Sequence, residues 1–215
     1  MIAPLFMYGT AWKEDDTARL VTLALEAGFR AIDTANQRKH YFEREVGVAL
    51  RNAFTRGLAR DAVFVQSKFT FRGGQDHRLP YDPAAPVAEQ VRQSFSSSRE
   101  HLGLNHLDSL VLHGPSTGRG LVAADHDAWR AMEALYREGR VGALGVSNVT
   151  PEQLEAFVAL AEVPIRFVQN RCYANRGWDR HNRKLCERAG ITYQGFSLLT
   201  ANRREPSPRG ATTRA

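Results

Sequence analysis

Long apolar runs and paired cysteines are both missing from this chain of 215 residues. No apolar run approaches the roughly 18 residues that a membrane-spanning helix needs, and residues 1–4 lack the basic start of a signal peptide. The two cysteines, Cys172 and Cys186, form no C-x-x-C pair and fit a reducing compartment. We therefore expect a cytoplasmic protein with no membrane contact and no metal site.

A concentrated basic surface is lacking as well, although the net charge is +6. Residues 201–215 hold four arginines and one glutamate, so this segment alone carries a net charge of +3. The other basic residues are interspersed with acidic ones, whereas binding to a phosphate backbone needs clustered positive charge. Nucleic acid is therefore not an expected partner.

Short apolar runs alternate with amphipathic stretches from residue 5 to residue 197, and 43% of the chain is apolar. The pattern predicts strands at 5–8, 31–32, 63–66, 109–112, 143–146, 167–168 and 192–196. It predicts helices at 16–27, 43–56, 87–102, 128–137, 151–161 and 181–188. Thr150 before Pro151 marks a helix start, and Gly28, Gly103, Gly139 and Gly190 mark helix ends. Alternating strands and helices indicate β/α units around a parallel sheet.

The glycine-rich G-x-G-x-x-G turn of open dinucleotide-binding sheets is absent after the first strand, where residues 8–12 read YGTAW. Seven evenly spaced units favour an α/β fold of the (β/α)8 TIM-barrel type that is incomplete, because the eighth strand and the last helices are missing. Residues 1–200 are predicted to form one barrel domain. Residues 201–215 have no large apolar side chain, so we expect a disordered basic tail.

Polar residues follow six consecutive predicted strands. In a β/α barrel the strand ends meet at the active-site face, so these side chains should converge. They are Asp33, Lys68, His113, Ser147 with Asn148, Gln169 with Asn170, and Ser197.

Three of these residues suggest proton-transfer chemistry when they are taken together. Alone, Asp33 could cap a turn, His113 could be an ordinary loop histidine and Lys68 an ordinary surface lysine. An ammonium held by a carboxylate, however, can lower the pKa of a nearby phenol and make a tyrosine a proton donor near neutral pH. Tyr41, in the loop after Asp33, is the available phenol.

Six short motifs in order make the chain resemble the aldo-keto reductases, over roughly residues 5–200. They are GTAW at 9–12, IDTA at 32–35, QSK at 66–68, LVLHGP at 110–115, LGVSN at 144–148 and VQN at 168–170. The resemblance implies a catalytic set of Asp33, Tyr41, Lys68 and His113. The family's tyrosine follows its aspartate by five residues, a position held here by Arg38. We interpret residues 36–40 as containing a three-residue insertion, because the family's next helix matches the sequence at 43–47.

The resemblance also implies contacts to a nicotinamide cofactor, NADPH or alternatively NADH. Ser147, Asn148 and Gln169 would hold the carboxamide, and Phe196 would stack on the ring. The remaining cofactor contacts are Thr10, Ala11 and Asp33 beside the ribose and ring, and Ser197, Leu198 and Leu199 along the pyrophosphate.

The activity implied by the resemblance is reduction of an aldehyde or ketone to an alcohol, with Tyr41 as the proton donor. The partner is then a small-molecule carbonyl substrate. Trp12, Phe69 and Phe71 are candidate walls of its pocket, although each aromatic could equally be packed in the core.

The family's barrel continues beyond the matched motifs, so we expect a truncated or frame-shifted member, and two alternatives stay open. One is a catalytically inactive fragment or pseudoenzyme that binds a partner at an open sheet edge. The other is a different barrel enzyme that uses Lys68 as a Schiff-base nucleophile.

Overall fold

Seven parallel strands form one sheet in a computed structural model that describes residues 6–198. The strands are β1 (Tyr8–Gly9), β2 (Ala31–Asp33), β3 (Phe64–Phe69), β4 (Ser109–Leu112), β5 (Leu144–Ser147), β6 (Ile165–Arg171) and β7 (Thr192–Phe196). The helices are α1 (Thr17–Glu26), α2 (Glu43–Thr55), α3 (Val87–Leu102), α4 (Ala123–Arg137), α5 (Pro151–Leu160) and α6 (Arg180–Ala189). Each strand pairs with the next in the chain. The predicted α/β fold, an incomplete (β/α)8 barrel with seven units, is therefore confirmed.

The sheet is curled. Four strand spacings separate β3 from β7, which would be about 19 Å in a flat sheet. Gln66 Nε2 on β3 nevertheless donates a hydrogen bond to Gln194 Oε1 on β7 over 2.9 Å. The strands therefore curve into part of a barrel, with β1 and β7 as the end strands of the described sheet.

The two faces of β3 separate the apolar core from the polar interior of the barrel. Val65 and Phe69 lie in the main hydrophobic core, together with residues from the surrounding helices such as Leu50 and Trp129. Lys68 points to the opposite face, where it meets Asp33 on β2. Because successive side chains of a strand alternate in direction, β3 supplies both the core and the site.

Some predicted element boundaries need correction. α3, β4 and β7 have the predicted bounds, but α4 begins at Ala123 rather than at 128. Its first turn, residues 123–126, has no large apolar side chain. Asp125 secures this turn by accepting hydrogen bonds from the backbone N–H groups of Ser116 at 2.6 Å and Val122 at 2.9 Å. β6 extends over Ile165–Arg171 rather than 167–168, because polar residues inside the barrel interrupt its apolar run.

Within residues 6–198, no helix combines the length and the apolar character needed to cross a membrane. Leu199 and the predicted tail at 201–215 lie outside the described residues.

Candidate active site

The carboxyl ends of three neighbouring strands place Asp33, Lys68 and His113 at one edge of the sheet. Asp33 is the last residue of β2, Lys68 is the penultimate residue of β3, and His113 follows β4 directly. The strands are parallel, with Asp33 in register with Gln66 and Lys68 with Val111. The topology therefore brings these three side chains together.

Lys68 is a buried ammonium held by two oxygen atoms. Its side chain is 0% exposed, and Nζ donates to Asp33 Oδ1 at 2.6 Å and to the carbonyl oxygen of Thr34 at 2.7 Å. Burial opposes the charged form, but the Asp33 carboxylate, together with Tyr41 and Glu43, outweighs it, and the pKa of Lys68 is raised above its usual value. A Schiff-base nucleophile has to be neutral and accessible, so this environment argues against that role.

Tyr41 lies against both Lys68 and His113. Lys68 Nζ is 5.1 Å from the centroid of the Tyr41 ring, and the rings of Tyr41 and His113 are 5.8 Å apart at 69°. Burial raises the pKa of Tyr41, and the Lys68 ammonium offsets this only in part. The sequence-based expectation of a lowered phenol pKa therefore does not hold in this structure. The phenol is protonated at neutral pH, which is the form that can donate a proton.

The path of the loop between β2 and α2 brings Tyr41, and not Arg38, next to Lys68 and His113. Asn36 Nδ2 anchors the loop by donating to the carbonyl oxygen of Ser94 at 2.9 Å. Arg38 turns away and forms a 3.0 Å ion pair with Glu14. The structure thus places the Tyr41 ring, eight residues after Asp33, over the Asp33–Lys68 pair.

His113 is neutral at physiological pH. Burial, together with the charges of Lys68 and His40, lowers the pKa of His113 to about 3. Thr70 Oγ1 lies 2.7 Å from His113 Nδ1. With the Thr70 hydroxyl donating to Nδ1, the ring proton resides on Nε2, and His113 can then donate a hydrogen bond to a ligand oxygen.

A cleft of about 760 Å³ opens above these residues. This volume is within the range of about 300–1,000 Å³ that is usual for small-molecule sites. The predicted site residues that line it are Ala11, Trp12, Asp33, Tyr41, Phe71, His113, Ser147, Asn148, Gln169, Phe196 and Ser197.

Four predicted site residues do not line the cleft: Lys68, which is buried next to Asp33, and three others. Phe69 is 1% exposed and packs in the hydrophobic core, because its position on β3 turns it to the helix side. Thr10 is fully buried, and its hydroxyl donates to the carbonyl oxygen of Asp33 at 3.0 Å. Leu198 is 48% exposed and does not line the cleft.

The side chains expected to contact the carboxamide already donate their hydrogen atoms to hydrogen bonds within the protein. Ser147 Oγ donates to the carbonyl oxygen of Gln169 at 2.6 Å. Asn148 Nδ2 donates to the carbonyl oxygen of His113 at 2.7 Å and to Ser147 Oγ at 3.1 Å. The side-chain oxygens of Asn148 and Gln169 are then the atoms suited to accept hydrogen bonds from a ligand amide. Phe196 adds a flat apolar face in the same cleft, so these residues fit a nicotinamide.

Sequence reasoning missed His40, Thr70 and Arg171, which also line the cleft. The rings of His40 and Trp12 are in contact, with their centroids 4.0 Å apart and their planes tilted by 38°. Arg171 places its guanidinium 5.6 Å from the centroid of the Phe196 ring. Thr70 directly follows β3 and Arg171 is the last residue of β6, so correct strand boundaries would have identified both.

Two relatives of this chain are an oxidoreductase and a reductase of Bacillus subtilis (strain 168). It is 30% identical over 199 residues to an uncharacterized oxidoreductase, YtbE, of Bacillus subtilis (strain 168), covering 91% of this chain and 64% of that protein. It is 29% identical over 185 residues to glyoxal reductase of the same organism, covering 86% of this chain and 59% of that protein. The chain therefore spans less than two thirds of the length of these relatives.

A solved structure and a family model agree with this relationship. The crystal structure of MGS-M4, an aldo-keto reductase enzyme from a Medee basin deep-sea metagenome library, matches with a TM-score of 0.71 and 26% identity. The match covers 91% of this chain and 64% of that one. The model of the aldo/keto reductase family matches residues 5–205. The seven-stranded partial barrel, its strand-end residues and the family match lead to one conclusion: this chain belongs to the aldo/keto reductase family.

Proposed function

We propose that this protein reduces an aldehyde or a ketone to an alcohol, with NADPH as the hydride source. The observation that carries the proposal is the buried Asp33–Lys68 pair beneath Tyr41, with neutral His113 beside it at the edge of the cleft. Membership of the aldo/keto reductase family supports oxidoreductase chemistry. NADH is the alternative cofactor, and the cytoplasm is the proposed location.

The site residues supply the proton and stabilise the charge in this proposal. A reduced nicotinamide, held by Asn148, Gln169 and Phe196, would supply the hydride to the carbonyl carbon. Tyr41 donates its hydroxyl proton to the carbonyl oxygen as negative charge develops there, and His113 Nε2–H donates a hydrogen bond to the same atom. The Lys68 ammonium, held by Asp33, stabilises the phenolate that Tyr41 becomes. These interactions strengthen as charge develops, so they favour the transition state over the bound substrate.

The cofactor contacts are proposed from the lining of the cleft. Asn148 and Gln169 line the cleft and would accept hydrogen bonds from the carboxamide, with Ser147 beside them, and Phe196 would provide the stacking face. Ala11 would lie beside the ribose, next to Thr10, the residue that follows β1. Ser197, which lines the cleft, would contact the pyrophosphate. The sequence also predicts this contact for Leu198 and Leu199. Trp12 and Phe71 form apolar walls for the substrate.

Replacing Tyr41 with phenylalanine tests the proposed proton donor. Because the ring remains and only the hydroxyl is lost, we expect the NADPH dissociation constant to stay within about twofold while kcat falls by about 100-fold or more. The substrate to test first is glyoxal, since one relative is a glyoxal reductase. NADPH oxidation gives kcat, and fluorescence titration of NADPH gives the dissociation constant.

Tyr136→Phe is the matched control, because Tyr136 lies on α4, is exposed and does not line the cleft. Full turnover by Tyr41→Phe would show that Tyr41 is not the proton donor. A wild-type chain whose thermal unfolding is unchanged by saturating NADPH would instead favour the catalytically inactive alternative, because a ligand that binds only the native state must stabilise it.

A further inference from the structure

We propose that Gln194 is a positioning residue for the proton donor, acting through the Asp33 carboxylate without touching the substrate. The inference rests on the proposed function and deepens it. Gln194 is the middle residue of β7, on the side of the sheet that faces β2 and β3 across the barrel interior. It does not line the 760 Å³ cleft.

One oxygen of Asp33 accepts three hydrogen bonds. Its Oδ1 atom accepts from Lys68 Nζ at 2.6 Å, from Gln66 Nε2 at 2.8 Å and from Gln169 Nε2 at 3.1 Å. Gln66 is 0% exposed and Gln169 is 8% exposed, so water contributes little to holding them. Two buried amides therefore share with Lys68 the task of fixing the carboxylate.

Gln194 closes this arrangement into a ring. Its Oε1 atom accepts from Gln66 Nε2 at 2.9 Å and from Gln169 Nε2 at 3.2 Å. Its Nε2 atom donates to Gln66 Oε1 at 3.2 Å. We call Gln66, Gln169 and Gln194 the amide ring.

The direction of every amide in the ring follows from the charge of Asp33. A carboxylate paired with an ammonium accepts hydrogen bonds only, so Gln66 and Gln169 must turn their NH₂ groups towards it. Each NH₂ has a second hydrogen, and Gln194 Oε1 is the acceptor that both reach. An apolar side chain at position 194 would leave two buried amide hydrogens without that acceptor, which is costly. Both amides would then reorient, and the carboxylate that they hold would shift on Lys68.

A shift of the Asp33 carboxylate would affect Tyr41, the proposed proton donor. Lys68 is bonded to the same Asp33 oxygen, and its ammonium is 5.1 Å from the centroid of the Tyr41 ring. A displaced ammonium stabilises the Tyr41 phenolate less well. Small displacements within a catalytic arrangement can lower the rate by about 10- to 100-fold while leaving substrate contacts in place.

The first test is spectroscopic and needs no enzymatic activity. In the full chain labelled with ¹⁵N, the buried Lys68 ammonium is observed by ¹H–¹⁵N correlation and assigned by its absence in Lys68→Met. We expect the Lys68 signal to shift or broaden in Gln194→Met. The control is Gln90→Met, which replaces a half-buried glutamine bonded only to the backbone carbonyls of Pro83 and Ala85, and which should leave the signal unchanged. If Gln194→Met does not unfold cooperatively, Gln194→Ala removes the same amide without filling its space.

The second test is kinetic. We expect Gln194→Met to lower kcat by about 10-fold or more with KM within about twofold, because the residue does not touch the substrate. Gln66→Met should have a similar effect. The double variant should lose little more than either single variant, since both remove the same unit.

The outcomes separate this inference from the proposed function. An unchanged Lys68 signal in a folded Gln194→Met protein overturns the positioning role, whether or not the protein is a reductase. Additive losses in the double variant, or a rise in KM alone, also overturn it. A shifted Lys68 signal in a wild-type protein that reduces no carbonyl would support the amide ring and contradict the reductase proposal.

Discussion

Asp33 and Lys68 show how strongly one residue depends on another inside this barrel. The lysine is fully buried and the carboxylate is almost fully buried, and each neutralises the charge of the other. A buried ion pair adds little net stability over an apolar pair, but removing one partner leaves an uncompensated charge. The two residues are therefore coupled in stability as well as in the proposed chemistry.

Asp33→Asn should destabilise the fold by about 3–5 kcal/mol, because it leaves the Lys68 ammonium buried without a counter-charge. Denaturant unfolding measures this loss. Asp16→Asn is the control: it breaks the exposed pair of Asp16 with Arg19 and should leave the free energy of unfolding nearly unchanged. Equal effects of the two substitutions would contradict the coupling.

His113 should make stability depend on pH. Its pKa is about 3 in the folded chain, against about 6.5 when unfolded, so the unfolded state binds more protons between these values. The contribution is fully present above about pH 6.5 and is lost as the pH falls towards 3, with a slope of up to about 1.4 kcal/mol per unit. Unfolding of wild type and His113→Gln across this window measures it. Parallel curves would contradict the assignment of a neutral imidazole at His113.

At the scale of elements, two close backbone approaches fix how neighbouring parts of the barrel pack. A Cβ atom on Gly47 would lie 1.9 Å from the carbonyl oxygen of His101, so α2 and α3 meet backbone to backbone there. A Cβ atom on Gly145 would lie 2.7 Å from the carbonyl oxygen of Phe167, between β5 and β6. Both contacts depend on the absence of a side chain.

Gly47→Ala should destabilise the protein by about 2 kcal/mol or more, although alanine is the better helix former, because α2 and α3 would have to separate. Gly73→Ala is the matched control, since a Cβ atom there meets nothing within 4 Å. It should change stability by less than about 0.5 kcal/mol. Thermal unfolding of both variants gives the comparison, and an unaffected Gly47→Ala would show that the helices can adjust.

Elements with local signals were predictable from the sequence. Thr150 caps α5 as its sequence indicates, accepting a hydrogen bond from the backbone N–H of Gln153 at 3.2 Å. α3 ends at Leu102 and is followed by Gly103, whose φ of +68° suits glycine. The bounds of β6 and the start of α4 had no such local signal. Their polar side chains form hydrogen bonds with residues that lie far away in the sequence or outside the element.

At the scale of the whole molecule, the parallel order of the strands followed from alternation, but the curl that builds the amide ring did not. Gln66 and Gln194 lie 128 positions apart in the chain, and neither strand has a local feature that indicates their contact. Polar residues after each strand could be found because topology alone brings strand ends together. Polar residues in the middle of strands meet only through curvature, which no short pattern encodes.

The distance along the chain between Asp33 and its partners also determines when the site can form during synthesis. Asp33 is bonded to Gln169 across 136 positions, and Gln194 lies later still. A ribosome that has just completed β3 has made both Asp33 and Lys68, but two members of the amide ring do not yet exist. Contacts of such long range form late and slowly. In a nascent chain, Asp33 and Lys68 therefore lack part of their hydrogen-bonding partners until β7 has been translated and has joined the sheet.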